Sequence, residues 1–179
     1  EVAGRAVGAR GGPTGGRGCP RLQVRGRRVY AKPAGLGWEG AAAFPLPCRT
    51  AWRMLTTRAG LQRGETLLVV GAGAGVSVAA ILIGRHLGAR VFATSRSEEK
   101  LEQARKLGAE EAFPTDGLAG PVRELTGKRG VDVIFDSVGA ATIDEDLKAV
   151  RMGGRNGTCG STSGAKVPIP WPRLVFRPA

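Results

Sequence analysis

Gly71, Gly73 and Gly75 are the residues of this 179-residue chain whose type and spacing most clearly suit a chemical task. Glycine lets the backbone approach a ligand closely. The unpaired amides of a helix N-terminus, helped by the helix dipole, favour an anion. The turn GAGAGVS therefore reads as a phosphate cradle made by Gly71, Gly73, Ala74, Gly75, Val76 and Ser77. The fit to G-x-G-x-x-G is incomplete, because position 76 is Val. A plain strand-turn-helix with a glycine-rich turn is the competing reading.

A second group follows about 20 residues later, where an acidic side chain would meet a free ribose 2′-hydroxyl. Here the chain reads Ser95-Arg96-Ser97, with Lys100 beyond and no carboxylate before Glu98. Hydroxyls and cations suit a 2′-phosphate, which a carboxylate would repel. The expected cofactor is NADPH rather than NADH. The alternative makes Arg96 and Lys100 solvated charges at a helix start.

Other reactive side chains are sparse. The one histidine, His86, falls at an expected helix end, and Cys19, Cys48 and Cys159 lie far apart. No metal site is expected, and three dispersed cysteines fit reduced thiols in a cytoplasmic protein.

The elements that must position these groups can be read from hydrophobic pattern. Thr66–Val70 is an apolar run of strand length without alternation, so both its faces should be buried. A helix should follow the glycines and stop at Arg85, His86 and Gly88. Further strands are expected at 90–94, 112–113, 131–135 and 155–159. Helices are expected at 98–107, up to Gly127 from about Pro121, and at 143–150, stopped by Gly153-Gly154. Ser95 or Ser97 would cap the helix that begins at Glu98. Earlier in the chain, 29–31 is strand-like, and helical pieces fit 38–43 and 50–57. Alternating strands and helices mean a doubly wound parallel sheet of α/β class, with helices on both faces. Ligands of such sheets bind beyond the carboxyl ends of the strands.

Composition narrows the choice further. The net charge is +12, but residues 1–32 hold eight basic residues against Glu1 alone, more than half of the excess. That Gly/Arg-rich segment reads as a disordered or out-of-frame stretch rather than an arm for nucleic acid. No apolar run reaches the ~18 residues that would cross a membrane. Three regions result: an irregular basic segment over 1–27, a remnant and hinge over 28–60, and a dinucleotide-binding domain over 61–179.

Five blocks in order, WEGAAAFPL…TAW, RGETLLVVGAGAGVSVAAI, LGARVFATSRSEEKLEQARKLGAEE, LTGKRGVDVIFDSVG and GGRNGTCGSTSG, carry a resemblance. The chain resembles the medium-chain dehydrogenase/reductase superfamily, in its quinone oxidoreductase and zinc-type alcohol dehydrogenase-like branch. The resemblance implies a Rossmann cofactor domain and hydride transfer between a nicotinamide cofactor and a quinone, an enone or an alcohol. By position it places Gly73 to Ser77 on the pyrophosphate, and Ser95, Arg96 and Lys100 by the ribose phosphate. Ser137, Val138 and Gly139 would lie under the cofactor. Cys159 and Gly160 would approach the nicotinamide, with Thr50 near the substrate cleft. No catalytic residue is assigned, although Tyr30 and Thr50 are candidate donors. The sequence departs from the family at Ser77, which replaces a third glycine, and at Thr115, which replaces a common tyrosine. Leu46 stands where zinc-dependent relatives keep a ligand. The implied activity is a zinc-independent, NADPH-dependent reduction of a quinone or α,β-unsaturated carbonyl. The alternatives are a zinc-type alcohol dehydrogenase, or a cofactor-binding fragment without turnover, since the family's catalytic domain is largely missing and the cofactor domain ends early. Full-length relatives would be homo-oligomers.

Overall fold

The computed structural model describes residues 32–164 and Lys166. The strand-like piece at 29–31, Tyr30, Cys19 and the proline-rich stretch from 167 onward lie outside the described residues. The chain divides into two compact units, the first ending at Arg49 and the second beginning at Thr50.

In the first unit, helix α1 (Trp38–Ala43) follows a turn closed by the Leu36 amide on the Pro33 carbonyl. The Lys32 ammonium lies 5.6 Å from the centre of the Trp38 ring. Helix α2 (Pro45–Trp52) begins here and runs into the second unit, where a π-helical turn, Arg53–Arg58, continues it. The helix expected at 50–57 is thus the end of a longer one.

The second unit is built on five parallel strands: β1 (Thr66–Val70), β2 (Arg90–Ser95), β3 (Glu111–Pro114), β4 (Val131–Asp136) and β5 (Val150–Thr158). Their order is β3-β2-β1-β4-β5, with every pair parallel. The helices are α3 (Gly75–His86), α4 (Glu98–Leu107), α5 (Ala119–Leu125) and α6 (Ile143–Ala149). This is the expected Rossmann-type α/β arrangement, and the strand order reverses at β1.

All five residues of β1 are buried, as a run without alternation requires. Leu68 and Val70 join Phe92, Leu118, Val122, Val131, Ile134 and Ala149 in one cluster, which seats α5 and α6 on one face. Alternate residues point the other way, and Leu67 meets α3 at Gly84. A β-carbon at Gly84 would lie 2.6 Å from Leu67 Cδ2 and 3.1 Å from Val91 Cγ2. Glycine there lets the helix sit directly on the sheet.

Two expectations need correction. The fifth strand begins at Val150, not Arg155, and α6 ends at Ala149. Val131 pairs with Val150, whereas Val133 pairs with Arg155. The glycines at 153 and 154 therefore form a bulge inside a strand rather than a helix stop. Of the two serines expected to cap α4, Ser97 holds the N-cap position, but the expected side-chain hydrogen bond is absent. Ser95 ends β2, and its hydroxyl accepts from the Ser97 amide at 3.2 Å.

Candidate functional site

A cleft of about 1100 Å³ opens at the carboxyl ends of the strands, where the strand order reverses. Gly71, Ala72, Gly73 and Ala74 line it after β1, and Ser95, Arg96, Ser97 and Lys100 after β2. Thr115, Asp116 and Gly117 line it after β3. The far wall is Ser137, Val138, Ala141, Thr142 and Glu145, with Thr162 and Ser163 beyond β5.

The glycine turn is shaped by its backbone. Gly71 has φ +83° and Gly73 has φ +109°, a region that side chains disfavour. The Ala72 amide donates to the Thr94 carbonyl, holding the turn against β2. Ala74 occupies the N-cap of α3 in extended conformation, and no side chain caps the helix. A helix start left uncapped by side chains and facing a cleft is suited to an anion.

Arg96 and Lys100 stand on the β2 side, both exposed. Among the described residues neither has an ion-pair partner. The Lys100 stem lies over Gly73, so that a β-carbon there would meet Lys100 Cδ at 2.5 Å. Thr115 turns its hydroxyl to Thr94 Oγ1 at 3.2 Å.

The opposite wall is organised from below by Asp136, which is fully buried. Its carboxylate accepts from the amides of Val138 at 2.7 Å and Gly139 at 2.9 Å, and from Thr142 Oγ1 at 3.3 Å. Burial raises its pKa, opposed by those three hydrogen bonds. The segment after β5 closes on the same loop. The Cys159 amide donates to the Asp136 carbonyl, and Ser163 Oγ accepts from the Ala141 amide and donates to the Val138 carbonyl.

Of the residues expected from the sequence, Gly71, Gly73, Ala74, Ser95, Arg96, Lys100, Ser137 and Val138 line the cleft. Gly75, Val76 and Ser77 do not. They form the first turn of α3, and the Ser77 side chain is fully buried. Gly139, Cys159 and Gly160 also stand behind the wall. Gly160 packs on Ser137, where a β-carbon would lie 2.6 Å from the carbonyl oxygen. Cys159 is half-buried, and its thiol pKa is raised by burial and then by Asp136. Thr50 is half-buried on α2 and is not a cleft residue. The cleft also takes in Ala72 from the glycine turn, Ser97 from the Ser95-Arg96-Ser97 group, and Thr162 and Ser163 after β5. Thr115 lines it at the position of the family's common tyrosine, whereas Asp116, Gly117, Ala141, Thr142 and Glu145 carry no sequence signal.

Among the described residues no three His, Cys, Asp or Glu side chains gather as metal ligands would. None of the described helices is long and apolar enough to cross a membrane.

A curated relative, the 2-haloacrylate reductase of a Burkholderia species, is 37% identical over 130 residues, covering 72% of this chain and 39% of the relative. A solved NAD-dependent alcohol dehydrogenase superposes with a TM-score of 0.80 at 40% identity, covering 85% of this chain and 45% of that one. A mycobacterial protein solved in complex with NADPH has a TM-score of 0.77 at 31% identity, covering 84% of this chain and 50% of that one. This chain thus spans half or less of the length of these relatives. Residues 75–178, more than half of the chain, match the family model described as zinc-binding dehydrogenase, and the chain belongs to that family, within the medium-chain dehydrogenase/reductase superfamily.

Proposed function

We propose that this chain binds NADPH as the cofactor domain of an oxidoreductase that reduces a quinone or an α,β-unsaturated carbonyl. The observation that carries the reading is one cleft holding both an uncapped helix start at Ala74 and the unpaired cations Arg96 and Lys100. Gly71, Gly73 and Ala74 would admit the pyrophosphate, and Arg96, Lys100, Ser95 and Ser97 would meet a 2′-phosphate. Ser137, Val138 and Thr142 would form the wall along which the dinucleotide extends. The nicotinamide, when bound, supplies the hydride, so the chain's own work is binding and orientation.

Relatives named as an alcohol dehydrogenase that uses NAD and as an NADPH complex both resemble this fold. The choice of NADPH therefore rests on Arg96 and Lys100. The acceptor is inferred from the family branch and from a relative named for reducing a haloacrylate. The family's name implies zinc, but the described residues do not supply its ligands. The free thiols Cys48 and Cys159 suit a reducing, cytoplasmic setting.

The test is energy transfer from tryptophan to nicotinamide during titration with NADPH and then NADH. Binding of NADPH at least about tenfold tighter than NADH supports the reading, since charge-assisted contacts to a phosphate carry roughly that difference. Equal affinities overturn the choice of cofactor, and no binding overturns the whole reading. Turnover with quinones and enones then separates an enzyme from a second reading, a cofactor-binding domain without activity.

A further inference from the structure

Ser77 and Ser137 lie sixty residues apart in sequence, yet their hydroxyl oxygens are 3.2 Å apart in a buried setting. Ser77 belongs to the first turn of α3, directly after the glycine turn, and is fully buried. Ser137 follows β4 and begins the opposite wall of the cleft. Ser137 Oγ also donates to the Val70 carbonyl at 3.1 Å. A serine hydroxyl has one hydrogen, so Ser137 has none left for Ser77. The direction of the contact is therefore fixed: Ser77 donates to Ser137, and Ser137 donates to Val70. The chain of hydroxyls joins α3, β4 and β1 at the point where the strand order reverses.

Two close approaches lie beside this bond. A β-carbon at Gly71 would lie 2.8 Å from Val138 Cγ2 and 3.0 Å from Ser137 Oγ, so the two banks already touch there. The Ser137 carbonyl is in turn packed against Gly160 and faces Thr162 Oγ1 at 3.4 Å. Ser137 is thus held on three sides, and Ser77 is its hydrogen-bonding neighbour from α3.

A hydroxyl buried without a partner is costly, so a serine at this depth must be bonded to be tolerated. The bond it finds runs across the cleft floor rather than along its own helix. We propose that Ser77 and Ser137 form a positioning tie that fixes the spacing between the glycine turn and the 137–142 wall. Given the dinucleotide reading above, on which this consequence rests, the tie pre-sets the cleft width and strengthens binding of the cofactor.

Amide hydrogen exchange of the full chain, recorded without any ligand, tests the tie directly. Ser77→Ala is expected to speed exchange of the amides at 71–74 and at 137–139 by about threefold to tenfold, the range of one neutral hydrogen bond. Exchange in β2 and β3 should stay as it was. Ser137→Ala, which also removes the bond to the Val70 carbonyl, should speed exchange at least as much, and the double variant should go no further than Ser137→Ala alone. Ser77→Gly, which removes the same hydroxyl but frees the helix backbone, should give the same pattern with more loss of overall stability. An effect confined to α3, or additive effects in the double variant, overturns the proposal. NADPH titration of the same variants should show affinity falling by a similar factor. Because exchange needs no cofactor, failure of the tie is distinguishable from failure of the NADPH reading.

Discussion

The Asp132 carboxylate accepts a hydrogen bond from the Thr66 amide at 2.8 Å, joining the start of β4 to the start of β1. The Arg129 guanidinium reaches the same carboxylate with two contacts, at 3.1 and 2.8 Å, and Arg151 reaches it at 2.5 Å. The three donors come from the turn before β4, from β1 and from β5, and they converge on one side chain that is 5% exposed. The strand ends opposite the cleft are pinned by this hub.

Acid should therefore loosen the sheet. Burial alone would raise the Asp132 pKa, but the bonds from Arg129, the Thr66 amide and Arg151 together lower it to about 2. A folded-state pKa below the ordinary value of 3.8 means that the contribution is present above pH 4 and lost as the pH falls toward 2. Asp132→Ala is expected to cost about 2 kcal/mol at neutral pH, because it also strands the Thr66 amide. Asp132→Asn should flatten the loss of stability between pH 4 and pH 2. Urea midpoints across that window would show whether the carboxylate matters.

Asp146 should act in the opposite direction. It is fully buried on α6, and among the described residues neither carboxylate oxygen lies within close hydrogen-bond distance of a partner. Burial raises its pKa to about 8, with help from the nearby negative charges of Asp136 and then Glu145, against the opposing influence of Asn156. The folded state therefore holds a proton that the unfolded chain releases near 3.8, so stability falls as the pH rises from about 4 to about 8. Asp146→Asn, which cannot ionise, is expected to melt near the wild-type temperature at pH 4.5. At pH 8.5 it should melt several degrees higher. A variant that is less stable at both values would show that the carboxyl group contributes something besides charge.

Cofactor choice should follow two side chains. Replacing Arg96 and Lys100 together with Ala is expected to weaken NADPH by about a hundredfold, roughly tenfold for each charge-assisted contact. NADH should weaken by no more than about threefold. Dissociation constants for both cofactors at fixed ionic strength are the measurement, and an equal loss for both would mean that the two cations act only through the general field.

Gly71→Ala should harm stability and the site together. Its φ of +83° disfavours any side chain, and the added methyl would lie 2.8 Å from Val138 Cγ2. A cost of about 1–3 kcal/mol is expected from the backbone and the crowding combined. Thermal melting with and without NADPH would separate the two effects.

Much of this architecture was legible because its signals are local. The β1 run, the glycines and the basic stop at Arg85-His86 specify strand, turn and helix within one stretch of sequence. The αL cap at Gly108, φ +104°, ends α4 at Leu107, the expected last residue. What escaped reading depends on pairing between distant segments. The bulge in β5 exists only because Val133 pairs with Arg155 while Val131 pairs with Val150. The adjacent glycines at 153 and 154 look identical as a helix stop or as a bulge until the partner strand is known. Ser77 stands out in the sequence only as the replacement of a third glycine, since nothing in its neighbourhood announces Ser137. Likewise Thr142 and Glu145 enter the cleft through the fold of the loop after β4, and carry no motif of their own.

The lysine stem laid across Gly73 has a kinetic consequence. A molecule that settles on the glycine turn must move aside the side chain that attracted it. Approach is then governed by long-range charge and slowed by salt, whereas an exposed lysine changes rotamer within nanoseconds and adds no slow step. A stopped-flow record would therefore show one binding phase, whose rate rises with concentration and falls with ionic strength.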